Sequence, residues 1–304
     1  MPANKTWKQH NGPVLDSANG FDVIECGVCG FKHVIPIPST DELEQVYRHD
    51  YYAREKPLYL ERHKEDLEWW NLVYGERYDR FEQLLPSDHR RVLDVGSGPG
   101  FFLLHGKNRG WQTVGIEPSS QAATHSRELG LEIVEDFLSD ASAKRLGQFD
   151  VVHMSEVLEH ISDPARLLQL VHGLLGPGGL LCVVVPNDYN PFQVALRSVC
   201  GYRPWWVAPP HHINYFNCDS LGRLLARNNF CVVHQETTFP IEMFLLMGEN
   251  YVGNDELGRQ CHARRKSFEK NLAAAGLGDL KRDLYHKLST MGIGREVLLI
   301  SKRA

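Results

Sequence analysis

Three glycines at alternate positions, with a carboxylate ahead of them, are the first residues of this chain that could do chemistry. They stand in VLDVGSGPGFF, where Asp94 closes a short apolar run and Gly96, Gly98 and Gly100 follow. Glycine admits positive φ and carries no Cβ, so a ligand can approach the backbone N–H groups closely. At the C-terminal edge of a parallel sheet, such a turn is where ligands bind. The spacing is G-x-G-x-G, whereas the dinucleotide fingerprint is G-x-G-x-x-G. Asp94 would repel a pyrophosphate and attract a cationic ligand that bears an amino acid. Glu117, in GIEPS, ends the next apolar run, where a carboxylate can accept both hydroxyls of a ribose. The bland alternatives are a tight strand-to-helix connection and a solvated glutamate at a strand end.

Histidine is the second candidate chemistry, because imidazole accepts a proton near neutral pH without special tuning. The chain has 15 histidines, so most must serve packing or solvation. His160 stands out in SEVLEHISDP, and His211 with His212 in WWVAPPHHINYF. The adjacent pair makes a poor metal site, since neighbouring side chains in an extended segment point in opposite directions. One can face a site while the other holds the loop, or both can pack. No metal is expected there.

The elements that must position these residues alternate from Arg91 onward. RVLDVG, QTVGIEP, LEIVED, FDVVHMS and LLCVVVP are short apolar runs of strand type, separated by the helical patterns FFLLHGKNRG, SQAATHSRELG and PARLLQLVHGLL. Apolar strands alternating with amphipathic helices predict an α/β fold with a parallel sheet covered on both faces. FCVVHQET and EVLLISK add two late strands, and largely helical residues separate them. The expected organisation is a small ribbon-like module over 1–40, possessing a short hairpin, and a helical cap over 41–86. A ligand-binding core follows over 87–240, then a helical insertion over 241–294 and a last core strand over 295–304. Glu242, Glu249, Asn250 and Tyr251 in the insertion could read a hydroxylated acceptor, or the insertion could serve packing and self-association.

Composition excludes several classes. The chain has 304 residues, is 42% hydrophobic and 23% charged, and carries a net charge of −5, ordinary values for a globular protein. That charge argues against sequence-independent nucleic-acid binding, although Arg264, Arg265 and Lys266 form a local basic patch. No apolar run opens the sequence and none reaches the length of a membrane span, so neither a leader nor a membrane partner is expected. Seven scattered cysteines suit a reducing cytoplasm better than a disulfide framework. The oligomeric state stays open.

Five motifs in order between Arg91 and Val185 closely resemble class I S-adenosylmethionine-dependent methyltransferases, specifically a methyltransferase-23-like subfamily. VLDVGSGPG is similar to the cofactor loop, GIEPS to the ribose-binding strand end, and VEDFL to the segment that meets the adenine. FDVVHMSEVLEHISDP resembles the fourth-strand motif, and LLGPGGLLCVVVPN the turn and fifth strand. The resemblance implies a Rossmann-like, doubly wound seven-stranded sheet and S-adenosylmethionine as cofactor. It implies cofactor contacts at Asp94, Gly96, Ser97, Gly98, Gly100, Phe101, Glu117 and Pro118. Asp136 would meet the adenine amino group with Phe137 beside the ring, and Met154 and Ser155 would lie where substrate meets cofactor. His160 would border the methyl-transfer site as a base or hold its loop, and HHINYF, with His211 and His212, would cover the acceptor entrance.

The implied reaction is methyl transfer to a small polar acceptor, a sugar or nucleotide-sugar of surface-polysaccharide metabolism, with oxygen favoured. Cofactor binding without transfer and a nicotinamide-dependent oxidoreductase are the alternatives. Members of this subfamily also carry an N-terminal zinc ribbon with two C-x-x-C pairs. Here only Cys26 and Cys29 are present. Structural zinc normally needs four ligands. His10 and His33 could complete the set, but the spacing does not demand it, and the expectation is a metal-free relic.

Overall fold

The computed structural model describes residues 9–45 and 59–304. The chain opens with three short strands, β1 (Val14–Ala18), β2 (Phe21–Glu25) and β3 (Lys32–Ile35), and three helices, α1 (Thr40–Gln45), α2 (Tyr59–Glu65) and α3 (Leu67–Leu84). Strands and helices then alternate through β4 (Arg91–Val95), α4 (Phe101–Asn108), β5 (Gln112–Ile116), α5 (Ser120–Glu128), β6 (Glu132–Val134) and α6 (Asp140–Leu146). The series continues with β7 (Phe149–Ser155), a 3-10 turn (Leu158–His160), α7 (Pro164–Leu174) and β8 (Leu175–Pro186). The last third holds α8 (Pro191–Cys200), β9 (Asn214–Tyr215), α9 (Cys218–Arg227) and β10 (Phe230–Thr237). Helices α10 (Glu242–Leu246), α11 (Asp255–Ala274) and α12 (Gly278–Thr290) precede β11 (Glu296–Arg303). Helices α1 to α3 occupy the described part of the expected cap. Much of its LEQVYRHDYY stretch lies outside the described residues.

The chain forms two compact units. The first takes the described residues up to Pro38 with Val184–Leu224 and His234–Leu299; the second takes those of Ser39–Val183 with Leu225–Val233 and Ile300–Ala304. These units cut across the five segments expected from sequence.

All seven strands of one sheet have residues in the second unit, in the order β10-β11-β8-β7-β4-β5-β6. β4 lies parallel between β5 and β7, and β6 lies parallel to β5. This is the doubly wound sheet the alternation predicted. Its central strands are continuous apolar runs because they are covered on both faces. Val92 and Leu93 of β4, Val151 and Val152 of β7, and Leu180–Val183 of β8 are fully buried. The GPGG stretch falls within the bounds of β8, where Gly178 takes a positive φ of 71°, as a turn requires.

Helix α7 shows how sequence sets an element. Leu167, Leu168, Val171 and Leu174 form one buried stripe at helical spacing. Asp163 caps its start by accepting from the Arg166 N–H, and Pro164 follows at the first helical position. A cap of this kind contributes about 1 kcal/mol.

The first unit holds an antiparallel sheet, β1-β2-β3-β9. Asn19 and Gly20 both have positive φ, 52° and 81°, the conformation that a two-residue hairpin turn between β1 and β2 requires. The expected hairpin is therefore present, extended by β3 and by a strand from much later in the chain. In the helical insertion, Arg265 is buried and ion-paired with Glu269, which also accepts from the Tyr285 hydroxyl at 2.7 Å. Arg264 is ion-paired with Glu249. Of the basic patch expected from sequence, Arg265 is thus taken into the interior, whereas Arg264 stays half-exposed. Glu242 is likewise buried, 3.7 Å from Arg295 and within hydrogen-bond reach of Gln193, so it braces the fold.

Candidate active site at the glycine turn

Between β4 and α4, Gly96, Gly98 and Gly100 take positive φ of 70°, 52° and 84°. The turn is tied to the end of β5. Ile116 O accepts from Gly96 N at 2.8 Å, and the Glu117 carboxylate accepts from Gly98 N and Ser119 N, both at 2.9 Å. From α5, Ser126 donates to Gly98 O and His125 to Pro99 O, each at 3.0 Å. Burial pushes the Glu117 carboxyl up to about 7, and the nearby Asp94 charge acts the same way, while the two N–H donors oppose the shift. A methyl group on Gly100 would come within 2.6 Å of Ser126 Oγ and Leu131 Cδ1. Left-handed strain and overpacking together make Gly100→Ala cost about 2–5 kcal/mol in urea unfolding. Gly110→Ala, also at positive φ but with open space around its Cβ position, should cost about 1–2 kcal/mol.

Asp94 does not face an open surface. It is buried, and its Oδ1 accepts from His153 Nδ1 at 2.7 Å. Arg77 of α3 reaches the other ring nitrogen of His153 at 3.1 Å. Arginine can only donate, so His153 Nε2 is the acceptor and its proton sits on Nδ1, toward Asp94. Burial lowers the His153 pKa and keeps the ring neutral, with Asp94 opposing and Arg77 reinforcing that effect. Phe102 stacks on the ring with centroids 3.9 Å apart. A buried relay from guanidinium through imidazole to carboxylate therefore fixes the end of β4. Sequence reasoning missed His153 and Arg77. The register that sets Asp94 beside His153 leaves no mark on residue spacing.

A second cluster clamps the exit of the turn. Phe101 stacks on His63 at 4.6 Å, and His63 stacks on Trp70 at 4.9 Å. The Tyr74 hydroxyl and His63 Nε2 share a hydrogen bond of 3.0 Å. Burial holds His63 down to about 4, against the pull of Asp66, so the ring is neutral near pH 7.

The remaining expected residues divide. Ser97 is buried in the turn, and among the described residues its hydroxyl has no partner. Pro118 is half-buried after Glu117. Asp136 and Phe137 are half-buried just after β6; the Asp136 carboxylate accepts from Phe137 N and pairs with Arg145 at 3.2 Å. Met154 is fully buried at the end of β7 beside Val95. Ser155 is half-buried at the strand's end. His160 closes the 3-10 turn after β7 and is buried, with its Nε2 3.6 Å from Glu159. His211 and His212 belong to the first unit and are half-buried. Their N–H groups both bond to Ala208 O at 3.1 Å, so they sit in a turn. The extended segment assumed for them is corrected.

The sheet order, the glycine turn after β4 and the acidic end of β5 define a class I, Rossmann-like methyltransferase fold. A family model described as "Methyltransferase domain" matches residues 62–235. That is more than half of the chain, and the chain belongs to this family, a branch of the S-adenosylmethionine-dependent methyltransferases. It is similar to the ubiquinone biosynthesis O-methyltransferase of Caulobacter sp. (strain K31), with 33% identity over 46% of this chain and 59% of that protein. The corresponding protein of Ruegeria pomeroyi is 34% identical over 41% of this chain and 53% of its own length. The chain thus spans little more than half of the curated relatives it matches. Magnesium protoporphyrin IX methyltransferase from Synechocystis PCC 6803, solved with bound SAH, shares the fold with a TM-score of 0.52 and 11% identity. That match covers 88% of this chain and all (100%) of that one. No helix among the described residues is long and apolar enough to cross a membrane.

Proposed function

We propose that this protein transfers the methyl group of S-adenosylmethionine to a hydroxyl of a small polar acceptor, with a sugar or nucleotide-sugar as the first candidate. The carrying observation is the Glu117 carboxylate, buried and bonded to Gly98 N and Ser119 N, with the partnerless Ser97 hydroxyl in the same turn. Each carboxylate oxygen keeps a further lone pair, enough for two ribose hydroxyls, and the Ser97 hydroxyl suits a polar ligand. The cofactor supplies a methyl group on a sulfonium, ready for in-line displacement. The chain's own part is alignment: Glu117 grips the ribose, and the start of α4 at Phe101 receives a carboxylate. Asp94, held by His153, keeps the turn in place, and Asp136 and Phe137 border the adenine. Methylation on oxygen is supported by the names of both relatives.

A hydroxyl acceptor must lose its proton, and His160, His211 and His212 are the candidate bases. Calorimetry with S-adenosylmethionine, S-adenosylhomocysteine and NADH should show binding of the first two alone; binding of NADH alone would overturn the proposal. A panel of nucleotide-sugars and phenols, read by mass spectrometry for methylated product, identifies the acceptor. Alanine at the base should lower turnover about 10²–10⁴-fold and leave cofactor affinity near wild type. Unchanged turnover in all three single variants removes histidine as the base.

A further inference from the structure

Four side chains of the first unit converge at a place the methyl-transfer reading does not use. His10 Nδ1 lies 3.6 Å from Cys26 Sγ, 3.2 Å from Cys29 Sγ and 3.0 Å from His33 Nε2. All four donor atoms fall within 4.8 Å of one another. We propose that His10, Cys26, Cys29 and His33 form a structural zinc site that holds the N-terminal sheet together.

The distances match the ion. Tetrahedral zinc with bonds of about 2.3 Å to sulfur and about 2.0–2.1 Å to nitrogen puts its ligands roughly 3.3–3.8 Å apart. The three separations measured from His10 need only a few tenths of an ångström of adjustment. The donors are already aimed inward. The His33 Nδ1 lies 2.9 Å from Val34 O, so it carries the proton and leaves the Nε2 lone pair facing the cluster. Cys29 N donates to Cys26 Sγ at 3.4 Å, which fixes the turn between the two cysteines. Gly30, with φ of 72°, closes the turn by donating to Cys26 O at 2.9 Å. Two thiolates and two imidazoles in a tetrahedron select zinc over the harder divalent cations. Binding the ion as a dithiolate releases two thiol protons to solvent and cancels the two charges.

The module also has a reason to need a staple. β1, β2 and β3 are short strands, and their buried apolar side chains reduce to a few such as Val23, Ile24 and Val34. So small a sheet gains little from apolar burial alone. The site reaches further along the chain through β3. His33 pairs with Asn214 and Lys32 with Tyr215, and Val34 N donates to Ile213 O at 2.9 Å. The ligand His33 therefore lies on the strand that orders the segment following His211 and His212. Loading with zinc should rigidify β9.

The test uses the full chain, purified without a histidine tag under reducing conditions. Plasma mass spectrometry should find about one zinc per chain. After chelation, Co²⁺ should give thiolate-to-metal charge transfer and the visible bands of a tetrahedral site. Zinc should restore the melting temperature and slow amide exchange at Asn214 and Tyr215. The double change Cys26→Ser with Cys29→Ser, and His10→Ala, should each drop the metal content below about a tenth of an equivalent. His10→Cys, which keeps four ligands, should retain it. Binding of S-adenosylhomocysteine reports separately on whether the second unit of each variant is folded. The proposal is overturned if the wild-type chain holds neither zinc nor Co²⁺, or if Cys26 and Cys29 are found as a disulfide. Metal content unaffected by His10→Ala also overturns this ligand set.

Discussion

Replacing Asp94 with alanine should lower the melting temperature of the second unit by roughly 6–20 °C, a loss of about 3–5 kcal/mol. Asp94 accepts from His153, and His153 accepts from Arg77, so the carboxylate is the anion at the end of a buried relay. Removing it leaves a guanidinium and an imidazole N–H inside the unit with no negative charge to answer them. Coulombic balance sets the size of the effect, because taking one partner from a buried pair costs far more than the pair contributes. Asp94→Asn keeps an acceptor for His153 and should lose less. The decisive measurement is a double-mutant cycle with Arg77→Met. Once the cation is gone, Asp94→Asn should cost markedly less, giving a coupling of about 1–3 kcal/mol. Additive losses would show that Arg77 and Asp94 do not act through His153.

The parts of this site that were legible in the sequence are those coded by residues close together. Gly96, Gly98 and Gly100 announce a turn at angles that favour glycine, and Glu117 follows an apolar run of strand type. FDVVHMS coincides with β7 because a buried strand is a nearly unbroken apolar run, and FCVVHQET coincides with β10, a partly exposed edge strand. What stayed hidden depends on register and return. Asp94 meets His153 only because β4 and β7 pair with those residues opposite. β9 has two residues, too few for any periodicity, yet it joins β3 to a segment far along the chain. His33 reaches the cysteine pair through the pairing of β2 with β3, and His10 joins it from the chain ahead of β1, neither of which spacing demanded. Glu242 looked available to a ligand because its partner Arg295 lies on the far side of the helical insertion. Local chemistry was readable; the partners of charged side chains were not.

Affinity for S-adenosylhomocysteine should fall about tenfold between pH 8 and pH 6, through the titration of Glu117. Ribose hydroxyls donate to the carboxylate, so the ligand selects the ionised form. With the carboxyl raised to about 7 by burial, that form is roughly nine-tenths populated at pH 8 and about one-tenth at pH 6. The same shift fixes the sign for the ligand-free protein. A carboxyl whose folded value is raised stabilises the fold fully below its unfolded value of 4.5. That stability, about 3 kcal/mol, is lost as the pH rises through 7. Ligand binding and fold stability should therefore run in opposite directions across this window, an unusual pairing that a general loss of structure would not produce. Glu117→Gln abolishes the titration: its affinity should be lower than wild type by tenfold or more at pH 8, the equivalent of about 1.5–3 kcal/mol. It should also be flat from pH 6 to pH 8, while the unliganded variant gains stability at high pH relative to wild type. Calorimetric titration at three pH values and thermal melts of both proteins measure all of this. A wild-type affinity that does not change with pH would remove Glu117 from the ribose.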